Sequence, residues 1–214
     1  MLKKIALPTL LLFSLLTATH SQESPKKLLD KMASGFDKST SYTIHFTMNV
    51  KEIMQRSAES FDAKIEVSGE RFHLTTPDIE AWFNGETQWV LIRQSDEVNI
   101  SVPTKEELKQ TNPVQILNSY KKGYTYSHMG ERNDAKGRAS FVVELKPEKP
   151  ADIEYITLLI DKKSHAPNSI VIRQKGSIET HIHINKIQSG QNIPDNTFAF
   201  DKSKHPDVEI IDLR

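Results

Sequence analysis

His181 and His183 are the best-placed metal pair in this chain, because alternate residues of a strand point the same way. They fall on the polar side of their segment, opposite Ile182 and Ile184, with no third ligand nearby, so they read as solvated surface. His45 and His73 stand alone on polar strand positions. Ser140 and Ser169 lack the Gly-x-Ser-x-Gly setting of an activated nucleophile. The carboxylates of Glu66 and Glu80 have no recognisable partner for acid–base work. Eight glycines leave no glycine-rich loop to cradle a phosphate. The absence of cysteine excludes a disulfide framework, a thiolate metal site, a cysteine nucleophile and a lipid-anchored N-terminal cysteine. The tract Lys121-Lys122-Gly123-Tyr124-Thr125-Tyr126 mixes bases with aromatics. It is short, however, and 28 basic residues balance 28 acidic ones, whereas a grip on nucleic acid needs a clustered basic excess. These residues predict no enzyme, no metal, no cofactor and no nucleic-acid partner. A site assembled from distant residues leaves no such trace.

With so little chemistry on offer, the scaffold carries the information. A chain of 214 residues suits one domain, or two small ones. Met1-Leu2-Lys3-Lys4 is a short positive start, Ile5 to Leu16 is almost all apolar, and Thr17-Ala18-Thr19-His20-Ser21 is small and polar. This is the three-part pattern of a secretory signal peptide over residues 1–21, cleaved near Ser21. The apolar run is shorter than the roughly 20 residues that span a bilayer, and a retained anchor is the alternative. Losing Lys3 and Lys4 takes the balanced charges to a net of −2. The expected mature domain is 22–214, exported to the periplasm.

Ser24 to Phe36 reads as a helix, with Ser24 as cap, Pro25 at the first position and Leu28, Leu29, Met32 and Phe36 at helical spacing. From Tyr42 onward apolar and polar residues alternate, the period of a strand with one wet face. Strands follow at 42–50, 61–67, 71–75, 81–83, 88–92 and 98–102, with Asn84-Gly85 as a hairpin turn. Thr104 and Glu107 have capping-box spacing, Asn112-Pro113 opens a second helical turn, and Val114, Leu117 and Tyr120 share a face. More strands follow at 124–129, 139–145, 155–161, 169–173, 178–187, 198–200 and 208–213. About ten or eleven strands form an antiparallel meander whose apolar face must curl and be covered. The two helical segments are the only material for that cover. The expected fold is mainly β, an open half-barrel under a helical lid. The space between is lined by Ile44, Phe46, Met48, Phe61, Ala63, Ile65, Phe72, Leu74, Trp82, Trp89, Leu91, Leu117 and Tyr120. Alternation alone leaves two readings open, a ligand cavity or a dry packed core.

Several segments resemble the periplasmic outer-membrane lipoprotein carrier (LolA-like) family in its Bacteroidota-type form. They are Trp82-Phe83-Asn84-Gly85-Glu86-Thr87-Gln88-Trp89, Asp96-Glu97-Val98-Asn99-Ile100-Ser101, residues 112–124 from Asn112 to Tyr124, and the tail segments Phe198-Ala199-Phe200-Asp201 and 206–212. The resemblance implies an open eleven-stranded half-barrel with a helical lid. It implies a concave cavity that takes lipoprotein acyl chains from an inner-membrane release complex to an outer-membrane acceptor, without hydrolysis, as a monomer. Alternatives are a carrier or sensor of another amphiphile, and an envelope interaction protein with a filled core. Family members latch the lid with an early-strand Arg followed by Pro, whereas here the segment reads Val67-Ser68-Gly69-Glu70-Arg71-Phe72, leaving Arg71 as a possible substitute. An extended C-terminal docking loop is expected to be missing or reduced, since the chain stops at Arg214.

Overall fold

The computed structural model describes residues 23–36, 41–52, 58–105, 107–108 and 116–214. The expected signal peptide lies outside these residues, as do Asn112, Pro113 and Val114 of the second helical turn. Alternating side chains produce twelve strands: β1 (Tyr42–Glu52), β2 (Ala58–Ser68), β3 (Arg71–Thr75), β4 (Ile79–Phe83), β5 (Gln88–Ile92), β6 (Glu97–Ser101), β7 (Tyr124–Asn133), β8 (Ala139–Pro147), β9 (Ile153–Asp161), β10 (Pro167–Gln174), β11 (Ile178–Ser189) and β12 (Glu209–Asp212). Among the described residues the helices include α1 (Pro25–Ser34) and the short α2 (Ile116–Ser119).

These twelve strands of the described residues form one sheet, in the order β12-β6-β5-β4-β3-β2-β1-β11-β10-β9-β8-β7. It is open, with β12 and β7 at its edges. Two meanders, β1 to β6 and β7 to β11, join where β1 pairs with β11 from Tyr42↔Ser189 to Glu52↔Ile178. Hairpin connections make sequential strands within each meander antiparallel, β1 and β11 also pair antiparallel, and β12 runs parallel to its neighbour, β6.

Register decides which side chains go inside. Ile44 of β1 lies between Ile65 of β2 and Ile187 of β11, and Phe46 lies between Ala63 and Ile184. Ile65 lies beside Leu74, which lies beside Ala81 of β4. On the other half, Leu145 of β8 faces Ile156 of β9, which faces Ile172 of β10. This face forms one buried cluster with Leu28, Leu29, Met32 and Phe36 from α1 and its end, and with Leu117 and Tyr120 from α2 and its end. Burying each such aliphatic or aromatic side chain stabilises by about 1.5–3 kcal/mol, so this face dominates stability.

Local signals act as their chemistry dictates. The Ser24 hydroxyl accepts from the Lys27 N–H at 3.4 Å, and Pro25 starts α1. Gly85, at φ +105°, makes the β4–β5 turn, where Asn84 Oδ1 accepts from the N–H groups of Glu86 and Thr87. β7 runs past its expected end at Met129, because Gly130 at φ +97° absorbs a register shift between His128 and Glu131.

The tail differs from the sequence expectation. Residues 195–198 form a 3-10 turn (Asp195–Phe198) rather than a strand at 198–200. To reach β6 in parallel, the chain returns across the outer face of the sheet. There Phe200 and Val208 pack on Trp82, Leu91 and Val98. Arg71 turns outward from β3, pairs with Asp195 at 2.7 Å and lies 4.9 Å from the centre of the buried Phe198 ring. It therefore straps the tail, and among the described residues its polar partners are Asp195 and Ser68, not the helical cover. Among the described residues twelve strands result, where about eleven were expected, and the segment expected at 208–213 supplies the edge strand β12.

Phe198→Ala is expected to cost about 3–5 kcal/mol by leaving a cavity under the tail. Arg71→Ala is expected to cost about 1 kcal/mol, the scale of a cation–π contact. Urea unfolding of the two variants checks both values.

Candidate functional site: the covered apolar face

The interior is built by the sheet and closed by helices. Leu28, Leu29 and Met32 recur at helical spacing and are almost fully buried against the sheet. Phe36, just past α1, meets Tyr42 edge-on, with ring centres 5.2 Å apart. Burial pushes the Tyr42 hydroxyl up to about 12. The other part of the cover begins at the expected capping box. The Glu107 carboxylate accepts from the Thr104 N–H at 2.7 Å and from its hydroxyl at 2.8 Å, while the Glu107 N–H donates back to Thr104 Oγ1 at 3.3 Å. The Thr104 backbone bond, then its hydroxyl bond, hold Glu107 below the ordinary carboxylate range.

Among the described residues, a side-chain bond joins the two parts of the cover. The Tyr120 hydroxyl donates to Asp30 Oδ1 at 2.8 Å. Lys26 donates to the other oxygen of Asp30 at 2.6 Å. The Lys26 bond, followed by the Tyr120 bond, lowers the Asp30 pKa. Burial and then Asp30 raise that of Tyr120. Glu23, just before α1, lies 3.8 Å and Lys31, within it, 3.4 Å from His165 Nε2 in the β9–β10 turn. A ten-residue helix is thus held by apolar contact and a few exposed polar ties.

Of the predicted lining, Ile44, Phe46, Ala63, Ile65, Phe72, Leu74, Leu117 and Tyr120 lie together in this interior, with Met48 and Phe61 packed at its margin. Ile44, Ile65 and Phe72 have no solvent exposure, so the interior is filled in this conformation. Trp82, Trp89 and Leu91 are on the opposite face, in the separate cluster under the tail. Trp82 stands between Ala81 and Phe83, both of which point inward, so the strand's period of two sends it outward. Three apolar residues in a row concealed that choice. Val143, Leu145, Ile156, Leu158, Ile160 and Ile170, beyond the lining expected from the sequence, complete the interior from β8 to β10. Their alternation in the second meander was the available signal.

The outer face holds the polar residues weighed for catalysis. Glu66 and Glu80, without partners in the sequence reading, both reach His73: Nε2 is 2.8 Å from Glu80 Oε1, and Nδ1 is 3.4 Å from Glu66 Oε2. Arg93 pairs with Glu80 at 2.5 Å and Lys64 with Glu66 at 2.8 Å, while His73 stacks on Trp82. Burial pushes Glu80 up, but His73 and Arg93 outweigh it and leave the carboxyl below its usual range. His181 bonds Glu179 at 2.5 Å, and its ring centre is 6.2 Å from that of His183. Burial, then His181, lower the His183 pKa. Among the described residues no group of three or more His, Cys, Asp or Glu is placed to hold a metal ion. A recess of about 260 Å³ lies among Arg138, Asp161, Asn168 and Lys186, with Ile184 and Ile187 also in its lining. The Arg138 guanidinium there donates to the carbonyls of Asn168 and Ile184.

An open antiparallel sheet with one apolar face closed by short helical segments defines the lidded half-barrel class. Within that class the family is shown: residues 15–176 match the model of the outer membrane lipoprotein carrier protein LolA, and the chain belongs to that family. An uncharacterized conserved protein from Thermus thermophilus is 12% identical over 87% of this chain and 98% of its own, with a TM-score of 0.56, which shows the shared fold. A LolA superfamily protein from Nitrosomonas europaea is 9% identical over 84% of this chain and 99% of its own, at TM-score 0.46. LprF from Mycobacterium bovis is 11% identical over 79% of this chain and 95% of its own, also at TM-score 0.46. No curated protein matches the chain.

Tyr120→Phe is expected to cost about 1 kcal/mol and to raise uptake of an apolar fluorescent dye by the otherwise folded protein. The Asp30 carboxyl is lowered in the folded state, so its contribution is present above the ordinary carboxylate value of about 4 and is lost as pH falls through the folded value. Dye uptake by the wild type is therefore expected to rise below about pH 4, and Tyr120→Phe is expected to flatten that rise.

Proposed function

We propose that this chain is a periplasmic carrier that takes lipoprotein acyl chains into the half-barrel interior and shuttles them from the inner to the outer membrane. The observation that carries the reading is an extensive apolar face closed by helices whose two parts share a side-chain hydrogen bond. Family membership supports it. Each acyl methylene withdrawn from water is worth about 0.8 kcal/mol, so an aqueous crossing needs an apolar enclosure of this kind. Cargo must also leave, which requires a cover held marginally. In this reading α1 and the Leu117–Tyr120 stretch fill the interior of the empty protein, and acyl chains replace their side chains when the cover swings out. Apolar contact is exchanged for apolar contact, so opening avoids a large exposure to water. No bond is made or broken, and the reading calls for no cofactor. Donor and acceptor are an inner-membrane release complex and an outer-membrane acceptor, and the carrier works as a monomer.

A second reading rests on the filled interior: an envelope interaction protein whose packed core never opens. Opening separates the two. The chain has no cysteine, so Asp30→Cys with Tyr120→Cys introduces the only thiols, and a short reducible cross-linker can join α1 to the end of α2. The carrier reading expects the cross-linked protein to lose uptake of a triacylated peptide and to regain it on reduction. Uptake that is indifferent to the cross-link contradicts it. The native protein is expected to release labelled lipoprotein from donor spheroplasts, and complete retention counts against the shuttle.

A further inference from the structure

Inward-facing residues change character toward one edge of the sheet. From β1 to β4 they are Ile44, Phe46, Ile65, Leu74, Ala81 and Phe83. On β5 the strand period places Gln88 on the same side as Val90, and Gln88 is opposite Phe83 in the β4–β5 pairing. Asn99 and Ser101 of β6 stand opposite Val90 and Gln88 and so share that face. The interior thus ends in three polar side chains beside the apolar floor.

Gln88 is the member of this group taken out of water. It is 5% exposed, and its amide nitrogen has no hydrogen-bond partner. A buried amide donor left unpaired is destabilising, and such groups are uncommon enough that each calls for an explanation. Leucine or methionine at 88 would match the neighbouring apolar positions without that loss. A buried, unpartnered N–H on the face of the apolar interior fits an acceptor that arrives with an apolar ligand. An acyl chain brings one, because it is attached through an ester or amide carbonyl.

Resting on the carrier reading above, we infer that the Gln88 amide donates to the ester or amide carbonyl at the head of a bound acyl chain. The polar β5–β6 end then receives the glyceryl and cysteinyl linkage, and the hydrocarbon runs toward β1 to β4. Gln88 fixes the direction in which the lipid lies and selects esters and amides over hydrocarbon of the same length.

The test uses two synthetic lipopeptides, one bearing a diacylglyceryl cysteine with ester links and the other its dialkyl ether analogue, which lacks those carbonyls. Wild-type protein is expected to bind the ester about fivefold more tightly, the equivalent of one hydrogen bond of about 1 kcal/mol. Gln88→Leu and Gln88→Met are expected to bind the two equally, with melting temperatures no lower than the wild type, because the unpaired donor is gone. A wild type without preference, a preference that survives in both variants, or variants that lose both lipids equally would each overturn the Gln88 assignment and leave the carrier reading standing. Failure of the wild type to bind either lipid overturns the carrier reading, and the assignment with it.

Discussion

The apolar face of the twelve-stranded sheet must be kept from water, and most of the structure follows from that need. A twisted sheet of this width coils rather than lying flat. The sheet's own edges do not meet, since β12 and β7 remain unpaired to each other. Closure therefore falls to α1 and to the segment between β6 and β7. Both meet the requirement by presenting an apolar stripe, Leu28, Leu29 and Met32 from the one, Leu117 and Tyr120 from the other. Their polar ties are few and mostly exposed, and exposed ion pairs such as Lys26–Asp30 are worth little individually. The cover is held mainly by the same non-directional force that draws acyl chains out of water. A ligand offering equivalent apolar surface can compete for the interior.

The two faces of the sheet divide the labour. Ion pairs and aromatic stacking fix the outer face: the Lys64–Glu66–His73–Glu80–Arg93 network crosses β2 to β5, and Trp82, Phe200 and Val208 lock the returning tail beside it. These contacts do not involve the interior. The wall can stay rigid while the cover moves, the arrangement a reversible container requires.

Much of this was legible in the sequence, because strict alternation records both strand and face. Arg71–Thr75 and Gln88–Ile92 form at their expected bounds, and the Ser24, Asn84-Gly85 and Thr104–Glu107 signals act as their side chains dictate. Alternation fails where apolar residues run together. In Ala81-Trp82-Phe83 it could not tell which two of the three point inward, so Trp82, and with it Trp89 and Leu91, was placed on the wrong side of the wall. The tail was misread for a related reason. Phe198 and Phe200 alternate like a strand, but Pro194 leads into a 3-10 turn and the aromatics are buried by lying across other strands. Contacts such as Tyr120 with Asp30, ninety residues apart, leave no local trace and emerge only from the folded sheet.

Native mass spectrometry of the protein expressed with its full N-terminus and recovered from the periplasm, before and after addition of a triacylated peptide, tests the central claim most directly. A carrier is expected to give an adduct whose mass, on denaturation, resolves into an acylated species, or a bare chain that takes up the added lipopeptide at one per molecule. A bare chain that stays bare in the presence of excess lipopeptide contradicts that claim, and makes the filled interior a permanent core.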